Sequence, residues 1–351
     1  MNWCLLQRHT VDIYGLKDKP FVILRVPARS LLHVSRFDLF AKLFYISNRK
    51  TNPEIAREVY SDHIQAFNPD GKEPGRTDKN GVEDFIDAFD KLIDLFKDND
   101  FDASISLVPV GFGGEILDGS HRVAALAFFD KDVTIARFDS VRSKCVFDYQ
   151  YFLKRGLPWK TADMISLEAL KWKANMYVAC LWPRISAKEK EEASRVISNS
   201  CSIYYSRKFA VSLKSLSRLV AYIYRTQKWV GDDNNNYSGA YNKALSCYGP
   251  SRQIQFVFFQ GKGLNETLAM KDKARQLFPF DKHSLHISDS QEETEDIAEI
   301  VLTEAGISSW LVNGSGGRVL LLKERIREKV DFFMNVTIIN LKVKIYRFMN
   351  K

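Results

Sequence analysis

Cysteine is scarce in this 351-residue chain: there are five, and no two form a Cys-x-x-Cys pair. Cys4, Cys145, Cys180, Cys201 and Cys247 are odd in number and widely scattered, which excludes a disulfide framework and a structural zinc site. No window approaches eighteen uncharged apolar residues, so no membrane-spanning helix is expected. The opening stretch "MNWCLLQRHTVDIYGL" lacks the basic-then-apolar order of a signal peptide. Together these absences predict a cytoplasmic chain. A P-loop is missing too, because "GKG" at 261–263 lacks the Gly-x-x-x-x-Gly-Lys-Ser/Thr spacing.

What the chain does have is an ordinary globular balance, 45% hydrophobic and 27% charged residues, at a length that suits two domains. Its net charge of +8 favours an anionic partner. Residues 54–118 are acid-rich, whereas the late segment ending "KIYRFMNK" is basic. The basic C-terminus is expected either as a solvated helix face or as a contact with acidic lipid or another anionic surface.

Hydrophobic spacing organises the first part. "PFVILRVPA" (20–28) reads as a buried strand. "SRFDLFAKLFYISNR" (35–49), "NPEIAREVYSDHIQAF" (52–67) and "VEDFIDAFDKLIDLFKDN" (82–99) carry helical periodicity. Between the last two lies the Gly/Pro/Asn/Asp-rich loop "NPDGKEPGRTDKNG". "SISLVPVG", "GEILDG" and "DVTIARFD" read as strands, with the helix "HRVAALAFFD" before the last.

Strand and helix then alternate through a second part. "KANMYVACLWPR", "RQIQFVFFQ", "HSLHIS" and "ISSWLVN" are the expected strands. "KEKEEASRVIS", "SLKSLSRLVAYIYRTQKWVG", "ETLAMKDKARQLF" and "SQEETEDIAEIVLTEAG" are the expected helices, the last ended by Gly306. The expected fold is therefore α/β (α+β). Its domains are placed at 1–145 and 146–313, followed by a hinge "GSGG" and a basic C-terminal helix at 314–351.

Chemistry concentrates in "GGEILDGSHRVAALAFF" (113–129), where an apolar chain breaks into Asp118-Gly119-Ser120-His121-Arg122 and at once resumes a helix pattern. Free N–H groups at a helix start, with Arg122 and His121 beside them, make an anion site. Secondary candidates are His63, Glu73 and Lys79 around the long loop, for an anionic sugar or nucleotide. His283, His286, Asp289, Glu292 and Glu293 read either as a metal or phosphate site or as a strand followed by a helix cap.

The order strand, "DGSHR", helix, strand resembles the ParB/sulfiredoxin superfamily, specifically over 104–138 and more loosely over 20–104. Sulfiredoxins carry a catalytic cysteine where this chain has Ser120, so their reaction is not expected. Chromosome-partition ParB proteins follow the loop with a helix-turn-helix, which is not found here, and no DNA partner is expected. "ILDGSHRVAAL" is nearest to the Asp-Gly-His-His-Arg loop of the free serine kinases.

That resemblance implies phosphoryl transfer from ATP or another nucleoside di- or triphosphate. Gly119, Ser120, His121 and Arg122 would hold the nucleotide, His121 and Arg122 would neutralise charge on the transferred group, and Asp118 would hold Mg2+. Asp38, beside Arg36 in "SRFDLFAK", stands where the branch supplies a carboxylate to activate the acceptor, although its usual acid is a glutamate. Arg36, His63, Glu73 and Lys79 would then contact the acceptor.

More of the chain, including "QKWVGDDNNNYSGAYNKALSCYG" and "KHSLHISDSQEETEDIAEIVL", resembles a family from bacterial surface-polysaccharide gene clusters. Its fuller members continue into a nucleotidyltransferase-like module with a Gly-Ser…Asp-x-Asp pattern; this chain ends at "KIYRFMNK" with no such module, so nucleotidyl transfer is not expected. The implied setting is capsule or lipopolysaccharide assembly, with a sugar-like acceptor and a peripheral contact of the basic C-terminus with the inner membrane or with glycan-assembly enzymes. The alternative is a nucleotide-binding regulatory or scaffold protein of the same assembly.

Overall fold

The computed structural model describes residues 3–73 and 79–311, a mixed α and β chain with two separate sheets. The expected hinge at 314–317 and the basic C-terminal helix lie outside the described residues. The chain divides into two compact units, one ending at Trp172 and the other beginning at Lys173.

In the first unit, α1 (Arg8–Tyr14) leads into β1 (Val22–Pro27), and then α2 (Phe37–Asn48), α3 (Pro53–Phe67) and α4 (Val82–Asp98) follow. Next come β2 (Val108–Val110), α5 (Ser120–Phe128), β3 (Asp132–Arg137), α6 (Tyr149–Lys154) and α7 (Trp159–Trp172). The sheet runs β1-β3-β2, with β1 antiparallel and β2 parallel to β3. The parallel pair needs a crossover, and α5 is that crossover. The chain turns back at Gly114 and runs antiparallel beside β2, so the α5 turn lies by the amino end of that strand, where Arg122 Nη1 donates to the Leu107 carbonyl at 3.5 Å.

Two strand expectations are corrected here. The 20–28 segment does form a strand, but not a buried one: Val22 and Ile23 are 53% and 55% exposed. Among the described residues β1 pairs only with β3 and stands at the sheet edge. A continuous apolar run cannot distinguish that case from a strand covered on both faces. "GEILDG" contributes only a bridge, Val110 to Ile116, because Gly114 takes a left-handed turn at φ +81°.

α2 is buried on nearly every side, as a helix apolar all round must be, and packs against α3, α5 and α7. The contacts of α6 and α7 with α2 and α3 place them in the first unit, so the division falls after Trp172 and not after residue 145.

The second unit runs β4 (Met176–Leu181), α8 (Ala187–Ser200), β5 (Ser202–Ala210), α9 (Leu213–Ile223) and α10 (Ser238–Cys247). It continues through β6 (Gln253–Gln260), α11 (Leu264–Arg275), β7 (Leu285–Ile287), α12 (Gln291–Leu302) and α13 (Glu304–Trp310). The sheet order is β5-β6-β4-β7 and every pair is antiparallel. This is a β-α-β-β-α-β path with α9 and α10 inserted before its third strand. Tyr177, Ala179 and Leu181 of β4 meet Ala193 and Ile197 of α8 and Met270 and Ala274 of α11 in one buried cluster.

"ISSWLVN" does not form a strand, since its residues through Trp310 belong to α13. Thr303 caps that helix by accepting from the Gly306 N–H at 2.9 Å, and the buried Trp310 indole donates to the Ile300 carbonyl at 3.0 Å. Gly306 lies inside α13 and does not stop α12. A Cβ there would come within 2.3 Å of the Glu299 carbonyl, so close helix approach is what requires glycine.

Candidate functional site

The Asp118–Arg122 bend is a turn that opens a helix, as its glycine predicts. Gly119 sits at φ +85°, a left-handed cap that lets α5 open at Ser120. Among the described residues, no acceptor takes the N–H groups of Ser120, His121 or Arg122. These three residues line a cavity of about 920 Å³ within the first unit.

Nearly all of the expected site residues line this cavity. Gly119, Ser120, His121 and Arg122 come from the α5 turn, with Asp118 just before it. Arg36 comes from the α2 N-cap, His63 from α3, and Glu73 and Lys79 from either side of the long loop. Asp38 is the exception: it is fully buried and does not line the cavity. Lys42, which the sequence reading did not single out, does.

Asp38 is locked behind the cavity wall. Its two oxygens accept from Arg36 Nε at 2.8 Å and Nη2 at 2.9 Å, and Lys42 Nζ adds a third contact at 3.2 Å. Burial alone would raise this carboxyl, but Arg36 and Lys42 hold it far below the usual carboxylate range. Such a group is a poor proton acceptor, and the expected role of Asp38 as the activating base does not fit this geometry. Asp38 instead holds two cations in place. One carboxylate thus serves both Arg36 and Lys42, 5% and 2% exposed, which leaves a buried positive charge to be completed.

Aromatic faces steady the cations. Arg36 lies over Phe147 at 5.1 Å, Lys42 over Phe67 at 5.9 Å and Lys79 over Phe85 at 4.5 Å. Lys79 also pairs with Glu73 at 2.7 Å, and Arg122 Nη2 lies 3.6 Å from Asp118 Oδ2. Burial lowers the Lys42 and Arg122 pKa values against the pull of Asp38 and Asp118.

The two histidines stay neutral. Burial, followed by nearby Lys42, pushes His63 well below the ordinary imidazole value; His121 is lowered by burial, Lys42 and Lys79. His121 Nε2 is hydrogen-bonded to Tyr60 Oη at 2.7 Å, and its ring meets Phe89 edge-on at 4.8 Å. His63 is fully buried, and neither ring nitrogen has a hydrogen-bond partner among the described residues.

The His283–Glu293 stretch behaves as a strand and helix cap. His286 bonds Glu293 at 2.9 Å, Lys271 pairs with Asp289, and Ser290 caps α12. Among the described residues, no group of three or more His, Cys, Asp or Glu side chains is placed to hold a metal ion, and no helix is long and apolar enough to cross a membrane. Comparison with protein-family models, curated proteins and solved structures yields no match for this chain.

Proposed function

We propose that the first unit binds a nucleoside di- or triphosphate at the opening of α5 and transfers its terminal phosphoryl group to a hydroxyl of a small, sugar-like acceptor. The observation that carries this reading is the surplus buried charge of Arg36 and Lys42 beside unpaired helix N–H groups. A phosphate supplies both the missing negative charge and the acceptors those N–H groups need. Phosphoryl transfer asks mainly for positioning and charge neutralisation, which Lys42, Lys79 and Arg122 would provide. The resemblance of "ILDGSHRVAAL" to the free serine kinase loop points the same way.

Asp118 Oδ2, buried and without a hydrogen-bond partner among the described residues, fits a Mg2+ ion that arrives with the nucleotide. Magnesium needs only one or two protein carboxylates when phosphate oxygens and water complete its shell. When bound, it would neutralise charge on the phosphates.

A second reading is a nucleotide-binding regulatory or scaffold protein of a surface-glycan assembly, and the locking of Asp38 favours it. The test incubates the full chain with ATP, ADP or CTP, Mg2+ and simple sugars, with calorimetry for binding and mass spectrometry for phosphorylated product. Binding with product supports transfer, and binding without product supports the scaffold. A chain that binds none of the nucleotides overturns both readings.

A further inference from the structure

With Asp38 locked, phosphoryl transfer still needs a group to take the acceptor's proton. We propose that His63 is that general base, an inference that rests on the transfer reading above. Its ring lines the cavity, is fully buried, and has both nitrogens free of partners among the described residues. Unpaired polar atoms in a buried ring cost free energy, and a ligand hydroxyl is what would satisfy them.

The other acid–base groups named at the site are committed elsewhere. Glu73 pairs with Lys79, Asp118 faces Arg122, and His121 Nε2 is bound to Tyr60. Tyr60 and His63 stand three apart on α3 and so share a face, which sets His63 on the same side of the helix as the contact with His121. Phe67 at 6.0 Å and Phe152 at 5.1 Å pack the His63 ring and restrict its rotation. A base must be held fixed, and this packing fixes the His63 ring; its nitrogens are covered by neighbouring side chains, which an entering acceptor must displace to reach them.

Burial comes first in explaining its neutrality, and charged groups follow. Lys42 from α2 opposes a proton on the ring, Asp38 favours one less strongly, and Arg36 at the α2 N-cap opposes one more weakly still. His121 on α5 and the Glu73–Lys79 pair line the same cavity. In the reaction, the acceptor oxygen forms a bond to the terminal phosphorus of a nucleoside triphosphate as its proton passes to a His63 ring nitrogen. The bridging P–O bond breaks, and its electron pair leaves with the nucleoside diphosphate. The imidazolium then returns its proton to solvent.

The experiment compares wild type, His63→Gln and His63→Asn as full chains. It measures affinity for a non-hydrolysable ATP analogue and the rate of product formation across acid to alkaline pH. Both variants should bind within about threefold of wild type, lose on the order of 100-fold in kcat, and lose the acid limb of the pH profile. A variant with wild-type kcat and an intact acid limb overturns the assignment while leaving the transfer reading standing. Wild type that binds nucleotide yet forms no product removes transfer, and the base with it. Should both variants fail to fold by circular dichroism, the wild-type profile decides: the rate should fall only well below the ordinary imidazole value, where burial and Lys42 hold His63, and a fall centred at that ordinary value assigns the base to another group.

Discussion

Tyr60 Oη lies 2.7 Å from His121 Nε2, joining the middle of α3 to the first turn of α5. The bond crosses the element that carries His63 to the element that carries the anion-binding turn. It therefore fixes the His121 ring relative to the cavity without either group needing a charge. Tyr60→Phe removes the hydroxyl and keeps the stacked ring against Phe89 at 5.4 Å. The expected loss is about 1 kcal/mol of stability, with nucleotide affinity reduced about fivefold. Thermal denaturation and calorimetry would check it; unchanged affinity would show that His121 needs no such tether.

Asp38→Asn tests the locked anion. The amide keeps the shape but leaves Arg36 and Lys42 buried without a counter-charge. Breaking a buried pair in this way costs about 3–5 kcal/mol, so the variant should melt well below wild type or fail to fold. A variant as stable as wild type yet inactive would restore Asp38 to the catalytic step.

That residue also marks where the sequence was legible and where it was not. The Asp38–Lys42 spacing of four could be read directly, since such pairs share a helix face. What could not be read was the burial of α2, which turns a surface-type pair into a locked one. The α5 turn was legible because glycine and the free helix start act locally, through backbone conformation alone. β5 escaped notice because Arg207 and Lys208 interrupt its apolar pattern and its partner β6 lies over forty residues away. "ISSWLVN" misled because its β-branched and aromatic residues favour a strand, while the Thr303 cap and the close approach of α12 decide for a helix. Local rules held where the backbone chose, and failed where distant packing chose.

Acid should weaken the first unit in two stages. His63 and His121 are held below their ordinary value when folded, so below about pH 6.5 the unfolded chain binds more protons than the folded one. Stability is then full above that pH and falls as pH drops toward the lowered folded values. Asp38, also depressed, contributes fully above about pH 4 and loses its contribution only below it. Urea melts at a series of pH values should show the first decline beginning near 6.5. The decline should be shallower in His63→Gln, and an unchanged slope there would contradict a neutral buried His63.

Gly119→Ala and Arg122→Ala separate the backbone cradle from the charge beside it. At φ +85° an alanine pays about 1 kcal/mol of backbone strain, and its Cβ would stand 2.8 Å from Arg122 Nη2, pushing the guanidinium aside. Arg122→Ala keeps the turn and removes the cation, a largely buried side chain that lies 3.6 Å from Asp118 Oδ2 and donates to the Leu107 carbonyl at 3.5 Å. If phosphate oxygens sit on the α5 amides, both variants weaken ATP binding. Arg122→Ala should do so about tenfold or more with a near-wild-type melting temperature, and Gly119→Ala should lose stability and affinity together. Calorimetry paired with thermal melts distinguishes these outcomes. Wild-type affinity in Arg122→Ala would move the anion away from this turn, because no cation that close to a bound phosphate is neutral to its binding.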